Sequence, residues 1–338
     1  MPAFIKTIEY DLPEGLLTNE MFAVEFPEWS VEKIEEKTGI AVRRIVAEDE
    51  CASDMGVRAA EKIFASGACR REEIDYLLFC TQSPDHFLPT TACLMQDRLG
   101  LSKSCGALDF NLGCSGYIYG LGLAKGLIET GQACNILLIT AETYSKHIHP
   151  GDKSVRTLFG DAAAATLVQN SRSAEEMIGP FVYGTDGSGG NNLIVPTGGL
   201  RSLRTDETAR VSADEHGNLR SQDNLYMNGS EIFTFTLLTI PQAVKEIFTL
   251  SGKSMGDIDL FVFHQANKFM LEHLHKKLKL PAEKFYMSFK NYGNTISSSI
   301  PIALKDAQSE GRLQSGDLVM LVGFGVGYSW GVTLVQWV

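Results

Sequence analysis

The chain has 338 residues, 44% of them hydrophobic, with 32 glycines and a formal net charge of −11. This fits a well-packed globular protein of two domains or one large one, and no apolar run approaches the length that spans a bilayer. The acidic balance excludes general nucleic-acid binding, which needs a basic face to neutralise phosphate. The first fourteen residues carry Glu9, Asp11 and Glu14 in place of a basic then apolar leader, so a cytoplasmic location without a membrane partner is expected. The seven cysteines lie before residue 135 and show neither CxxC nor Cys/His ligand spacing, which argues against a disulfide framework and a structural metal.

In chain order, residues 15 to 70 read as helical and polar at intervals: Asn19 to Phe26, Ser30 to Lys37 stopped by Thr38-Gly39, and Ala52 to Ser66 stopped by Gly67. Tyr76 to Cys80 is an apolar strand, followed by a polar loop with Pro84 and Pro89 and a helix through Leu99. The stretch Asp109-Phe110-Asn111-Leu112-Gly113-Cys114-Ser115-Gly116 begins like a buried strand and turns into a helix from about Ile118 to Glu129. Cys114 therefore sits at a helix start, where free amides and the positive end of the helix dipole favour the nucleophilic thiolate. The competing reading is a small buried hydrophobe, the common fate of a free cysteine. A strand over Asn135 to Thr140 follows, and Phe159-Gly160-Asp161 is a turn feeding a buried strand through Val168.

The chain repeats itself at long range. Asp75-Tyr76-Leu77-Leu78-Phe79 is echoed by Asp259-Leu260-Phe261-Val262-Phe263, and Thr130-Gly131 with Asn135 to Leu138 is echoed by Ser315-Gly316 with Leu318 to Leu321. The echoes share an offset of 183 to 185 residues, which implies two copies of one α/β unit, with halves expected over 1–176 and 177–338. Cys114 of the first copy falls opposite Ser297 to Ser299 of the second. Gly187 to Gly190 reads as a turn and not a dinucleotide fingerprint, and Ser202 to Asn224 as an exposed polar insert of the kind that forms lids or flaps.

Two further candidates stand in the second copy. His264 directly follows the strand Phe261-Val262-Phe263, where open α/β sheets build their sites, and Asn294 lies in the turn-rich Asn291-Tyr292-Gly293-Asn294-Thr295. Gly323-Phe324-Gly325-Val326-Gly327 near the end offers exposed backbone N–H groups for an oxyanion hole. Lys268, Lys276, Lys277 and Lys279 form the densest basic run, a docking surface or a solvated helix face. A cysteine, a histidine, an asparagine and a glycine-rich corner together describe acyl transfer through a thioester.

With Asp109 to Gly116, His264-Gln265-Ala266-Asn267, Tyr292-Gly293-Asn294-Thr295, Leu158 to Ala164 and Met227 to Phe233 in order, the chain resembles the β-ketoacyl-acyl carrier protein synthase III family. The resemblance implies the thiolase fold, an α/β protein of two duplicated halves in a five-layered αβαβα sandwich, commonly a homodimer. It implies that Cys114 accepts an acyl group from acyl-CoA and that His264 and Asn294 stabilise the enolate left by decarboxylation of malonyl-acyl carrier protein. The backbone N–H groups of Cys114 and Val326 would make the oxyanion hole, with acyl-CoA a substrate and no cofactor or metal required. Phe159, Asn267 and Phe269 align with substrate-contacting positions, and Leu88 in the loop Ser83 to Pro89 with the segment that crosses a dimer to set the depth of the neighbour's acyl pocket.

This chain departs from the family at several points. Val326 stands where a third glycine is usual, and Phe269 aligns with the arginine that docks the carrier protein. Lys33 and Lys37 replace the Trp and Arg that grip the adenine end of coenzyme A, so Lys37 is expected to pair with phosphate without stacking. A degradative thiolase needs a second cysteine near the C-terminus, and none follows Cys134. The alternatives that remain are an acyltransferase on the same scaffold that passes the acyl group to an alcohol or amine, a cysteine hydrolase with His264 as base, a silent partner subunit, and, disfavoured by Asp85 and His86 where a glutamate acid is needed, a synthase of the hydroxymethylglutaryl type.

Overall fold

The computed structural model describes residues 1–171 and 175–338. Two five-stranded sheets form its frame. The first runs in the order Ala3–Asp11, Ala162–Asn170, Asn135–Glu142, Tyr76–Cys80, Gly106–Phe110, and the second in the order Ile178–Thr185, Ser329–Gln336, Leu318–Gly325, Leu260–Phe263, Phe285–Tyr286. In both, the inner pair is parallel and the first two pairings are antiparallel. The two sheets thus match strand for strand, which is the structural form of the repeat seen in the sequence.

The helices Gly116–Glu129 and Ser299–Ser309 lie between the sheets, sharing one core with the inward residues Leu78, Leu138, Val262 and Leu321. Helices Ala52–Ala65 and Thr91–Arg98 cover the outer face of the first sheet against Phe79, Ile139 and Leu167. Helices Gly229–Ser251 and Lys268–Leu278 cover the second against Phe261, Phe263, Met320 and Val322. Five layers result, in the order αβαβα. Strands buried on both faces read as unbroken apolar runs, which is why Tyr76–Cys80 and Leu260–Phe263 stand out in the sequence.

Three expectations change. The strand leading to Cys114, Gly106–Phe110, is an edge strand and only half-buried, with Leu108 exposed by 41%. Residues 15 to 70 are not all helix, since Gly15–Thr18 pairs with Val42–Ile45, and ahead of them Ala3–Asp11, assigned to no element from the sequence, is the outer strand of the first sheet. These strands carry polar residues between apolar ones, as an edge permits, and so lack the continuous apolar signal. The insert Ser202 to Asn224 is exposed over most of its length but is not a free flap, because Leu219 N–H donates to Gly151 O at 3.0 Å and Arg220 pairs with buried Asp152 at 2.7 Å. Among the described residues no helix is long and apolar enough to cross a membrane.

Arg43, fully buried on the strand Val42–Ile45, fastens this small hairpin to the wall of the site. Its guanidinium donates to Thr157 O at 2.8 and 2.5 Å and to Asn19 Oδ1 at 2.5 Å, and burial alone lowers its pKa to about 9. Replacing Arg43 with Ala leaves the Thr157 carbonyl and the Asn19 amide oxygen without partners and opens a cavity. We expect a loss of about 3 kcal/mol in urea unfolding, well above the effect of a surface substitution.

Candidate active site

Cys114 ends the turn that joins the edge strand to the central helix, two residues before the helix begins at Gly116. Its sulfur fits because Gly325 opposite has no side chain: a Cβ there would lie 2.9 Å from both Cβ and Sγ of Cys114. The backbone N–H groups of Cys114 and Val326 face the sulfur. Gly323, Phe324 and Gly325 are not the exposed donors the sequence suggested, because they lie within the strand Leu318–Gly325, which pairs with strands on both sides, and Val326 follows its end.

His264 is buried at the end of Leu260–Phe263, edge-on to Phe324 at 5.6 Å, with Nδ1 2.8 Å from Ser299 Oγ. The Ser299 hydroxyl accepts from Gln265 N–H at 3.3 Å and has one proton to give, either to the Ile296 carbonyl at 2.9 Å or to Nδ1; in the second arrangement Nε2–H is the donor of the ring. Burial lowers the His264 pKa to about 3, so the ring is neutral. Asn294 is fixed by the next turn: Ile296, held at φ 51°, directs its N–H to Asn294 Oδ1 at 3.0 Å. With the oxygen engaged, the amide NH2 is left for an occupant of the pocket. Gly160 N–H and the Leu158 carbonyl bond the Asn294 backbone at 3.0 and 2.8 Å, which ties it to the Phe159 wall.

Cys114, His264 and Asn294 line one pocket of about 190 Å³, together with Phe159, Asn267, Phe269, Met227 and Phe233. The arrangement brings a cysteine sulfur, a neutral imidazole and a carboxamide into one apolar cavity. Such a site suits a reaction that develops negative charge on a carbonyl oxygen. Among the described residues no group of three or more His, Cys, Asp or Glu is placed to hold a metal ion.

The thiolate expectation at Cys114 is overturned in sign. Burial pushes the thiol up to about 12, with the Glu142 carboxyl adding to the rise, and the two amides that pull it down do not compensate. A helix start stabilises a thiolate less than a dry pocket penalises it.

The sequence of residues 108–187 matches the family described as 3-oxoacyl-[acyl-carrier-protein (ACP)] synthase III, and residues 249–337 match its C terminal region. The β-ketoacyl-[acyl-carrier-protein] synthase III of Clostridium perfringens is 39% identical over 326 residues, covering 96% of each chain. A 2.1 Å crystal structure of a 3-oxoacyl-(acyl-carrier-protein) synthase III superposes with a TM-score of 0.99 at 51% identity, covering all of both chains. The 3-oxoacyl-(acyl-carrier protein) synthase of Burkholderia xenovorans does so with a TM-score of 0.91 at 37% identity, covering 100% of this chain and 94% of its own. The chain belongs to the β-ketoacyl-acyl carrier protein synthase III family.

The remaining candidates divide between the pocket and its surroundings. Asn267 caps the helix Lys268–Leu278 by accepting from Met270 N–H at 2.9 Å and lines the pocket. Phe269 also lines it, 53% exposed, packed on Phe233 at 5.1 Å and on the His273 ring at 4.3 Å. Leu88 lies outside the pocket of its own chain and is 83% exposed beside Phe87. Lys37 is outside the pocket too, on the helix Val31–Thr38. The Lys33 and Lys37 ammonium groups sit 5.1 and 5.8 Å from the Trp29 ring centre. Trp29 precedes the Ser30 cap of this helix, and no helical spacing in the sequence marked it. Of the lysine run, Lys276, Lys277 and Lys279 are exposed and Lys268 is half-buried.

Gly325→Ala isolates the fit at the sulfur. The added methyl must displace Cys114, at a cost of about 1–3 kcal/mol in unfolding measurements. Displacing the nucleophile by even a fraction of an ångström should slow iodoacetamide labelling and acyl loading of Cys114 at least about tenfold.

Proposed function

We propose that the chain forms a carbon–carbon bond between an acyl group carried on Cys114 and a malonyl unit carried on acyl carrier protein, the priming step of fatty acid biosynthesis or of a related chain. The Cys114 sulfur attacks the thioester carbonyl of acyl-CoA, and the coenzyme A thiol leaves. Malonyl-acyl carrier protein then loses carbon dioxide, and the enolate oxygen takes hydrogen bonds from His264 Nε2–H and the Asn294 amide. The enolate carbon attacks the acyl-Cys114 carbonyl, whose oxygen is held by the Cys114 and Val326 N–H groups. The Cys114 thiolate departs and leaves a β-ketoacyl-acyl carrier protein. Acyl-CoA is a substrate here and no cofactor takes part.

The observation that carries this reading is the neutrality of both donors. A histidine with its pKa lowered to about 3 is a poor base for a thiol but keeps its N–H for a developing enolate, and Asn294 adds a donor without a charge. The same fact weighs against a hydrolase in which His264 deprotonates Cys114. Trp29 with Lys33 and Lys37 offers an aromatic face and two cations for the nucleotide end of coenzyme A. The carrier protein, acidic by its phosphopantetheine, would meet Lys268, Lys276 and Lys277 in place of the arginine that Phe269 replaces. A homodimer belongs to this reading, since Leu88 and Phe87 project from the surface and contribute nothing to the pocket of their own chain. Its site in the cytoplasm is part of the same proposal.

Cys114→Ala should abolish acyl loading from acyl-CoA, followed by mass spectrometry of the intact protein; continued loading removes Cys114 from its role. His264→Ala should load normally but lose decarboxylation by about 100-fold, the scale of a lost oxyanion donor, in a carbon dioxide release assay with malonyl-acyl carrier protein. A loading defect of the same size would make His264 the base. Acyl-loaded protein that releases no carbon dioxide, yet acylates an alcohol or amine, would replace condensation by simple acyl transfer.

A further inference from the structure

The two-fold repeat places a second constellation beside the first. The pairs Cys114 with Ser297 and Glu142 with Gly325 are each separated by 183 residues, and Cys80 with His264 by 184. Glu142 and Gly325 end equivalent strands, Asn135–Glu142 and Leu318–Gly325. In the first constellation the bare backbone of Gly325 makes room for a sulfur. In the second a fully buried Glu142 side chain occupies the corresponding space, with Oε1 3.2 Å from Ser297 Oγ.

Glu142 reaches both halves of the molecule. On its own side, Gln82 N–H donates to its oxygens at 3.1 and 3.0 Å, and Ser83 Oγ lies 3.1 Å away. Gln82 in turn donates from Nε2 to Asn111 Oδ1 at 3.0 Å and packs on Gly113, where an added Cβ would lie 2.6 Å from its Oε1; it thereby braces the turn that carries Cys114. On the far side, Ser297 follows Ile296, whose N–H holds Asn294 and whose carbonyl lies 2.9 Å from the hydroxyl of Ser299, the neighbour of His264. One carboxyl thus joins the bracket of the nucleophile to the bracket of both donors.

We propose that Glu142 is a positioning residue for the condensing site, holding the Cys114 turn against the Asn294–Ser299 segment as a neutral carboxylic acid, and that its ionisation opposes thiolate formation at Cys114. The groups that face it from the surrounding elements are Cys80, Cys114, Tyr144 and Asp161, all neutral or anionic when they titrate, with Gln82, Ser83 and Ser297 as polar neighbours. Among the described residues no cation is paired with the carboxyl. Burial raises the Glu142 pKa to about 8, so the acid is mostly protonated at pH 7 and ionises above pH 8. In the neutral form it keeps the Gln82 bond and can turn one serine contact around, donating its own proton.

The test is the pH profile of Cys114 labelling by iodoacetamide on the full-length protein, read by mass spectrometry so that Cys114 is scored alone. In the wild type the labelling rate should climb about tenfold per pH unit up to pH 8 and then flatten as Glu142 ionises next to the sulfur. Glu142→Gln keeps the size and, with one serine contact reversed, the hydrogen bonds without the charge, and should continue the tenfold climb to pH 9, where it exceeds the wild type by about fivefold or more. Superimposable profiles from pH 6 to 9 would overturn the electrostatic role. Glu142→Ala removes the joint and should lower the turnover of condensation at least about tenfold with the KM for malonyl-acyl carrier protein within about twofold; unchanged turnover would overturn the positioning role. If the Ala variant fails to fold, turnover of the Gln variant, expected within about threefold of wild type, decides positioning, and a tenfold loss there would assign the effect to the proton. The proposal rests on Cys114 as nucleophile, but labelling measures the coupling directly, so a failure of acyl loading to depend on Cys114 would be recognised separately.

Discussion

The chemistry of this protein is divided between two copies of one fold unit, so it depends on the packing that holds the copies together. The central helices Gly116–Glu129 and Ser299–Ser309 share a dry layer between the sheets, with Tyr117, Ile118 and Leu121 on one and Ile300, Ala303 and Leu304 on the other. Burial of this kind is worth on the order of 25 cal/mol per Å² and is felt at the level of single methylene groups. Each helix begins beside the pocket, so the layer that stabilises the fold also sets the distance between the sulfur and its two donors.

Duplication explains the form of the site as well as its place. A symmetric pair of units would carry two equivalent clefts, and here the equivalents have diverged in chemistry. Cysteine faces glycine in one, and serine faces glutamate in the other. The first leaves space for a reacting atom, while the second fills that space with a carboxyl that takes hydrogen bonds from backbone and hydroxyl donors. Polar groups buried without a route to solvent persist when they are bonded, and Glu142 meets that condition.

Electrostatics in the pocket follow burial before they follow helix dipoles. His264 is pushed toward its neutral form, the Cys114 thiol is held in its protonated form, and the Glu142 carboxyl is raised in the same direction. A set of neutral groups is what a site needs when charge must appear only on the substrate, because fixed N–H donors then meet the developing oxyanion without competition.

Much of this was legible in the amino-acid sequence. The strands Tyr76–Cys80 and Leu260–Phe263 announced themselves because both faces are buried, and the near-constant offset between their neighbours exposed the repeat. Cys114, His264 and Asn294 stood out because each follows a strand or turn with its own local pattern. Other features had no local signature. Gly106–Phe110 alternates like a covered strand yet lies on an edge, since neighbour pairing is a property of the sheet. The Arg43 anchor to Thr157 and the contacts of Glu142 with Gln82, Ser83 and Ser297 join residues far apart in the chain. The sign of the Cys114 shift was misread because a helix start is visible in sequence, whereas the dryness of a pocket is not. Residue types and their order determined the fold unit, its duplication and the reacting groups. Tertiary structure alone decided which side chains lose their water, and with it every ionisation state on which the chemistry depends.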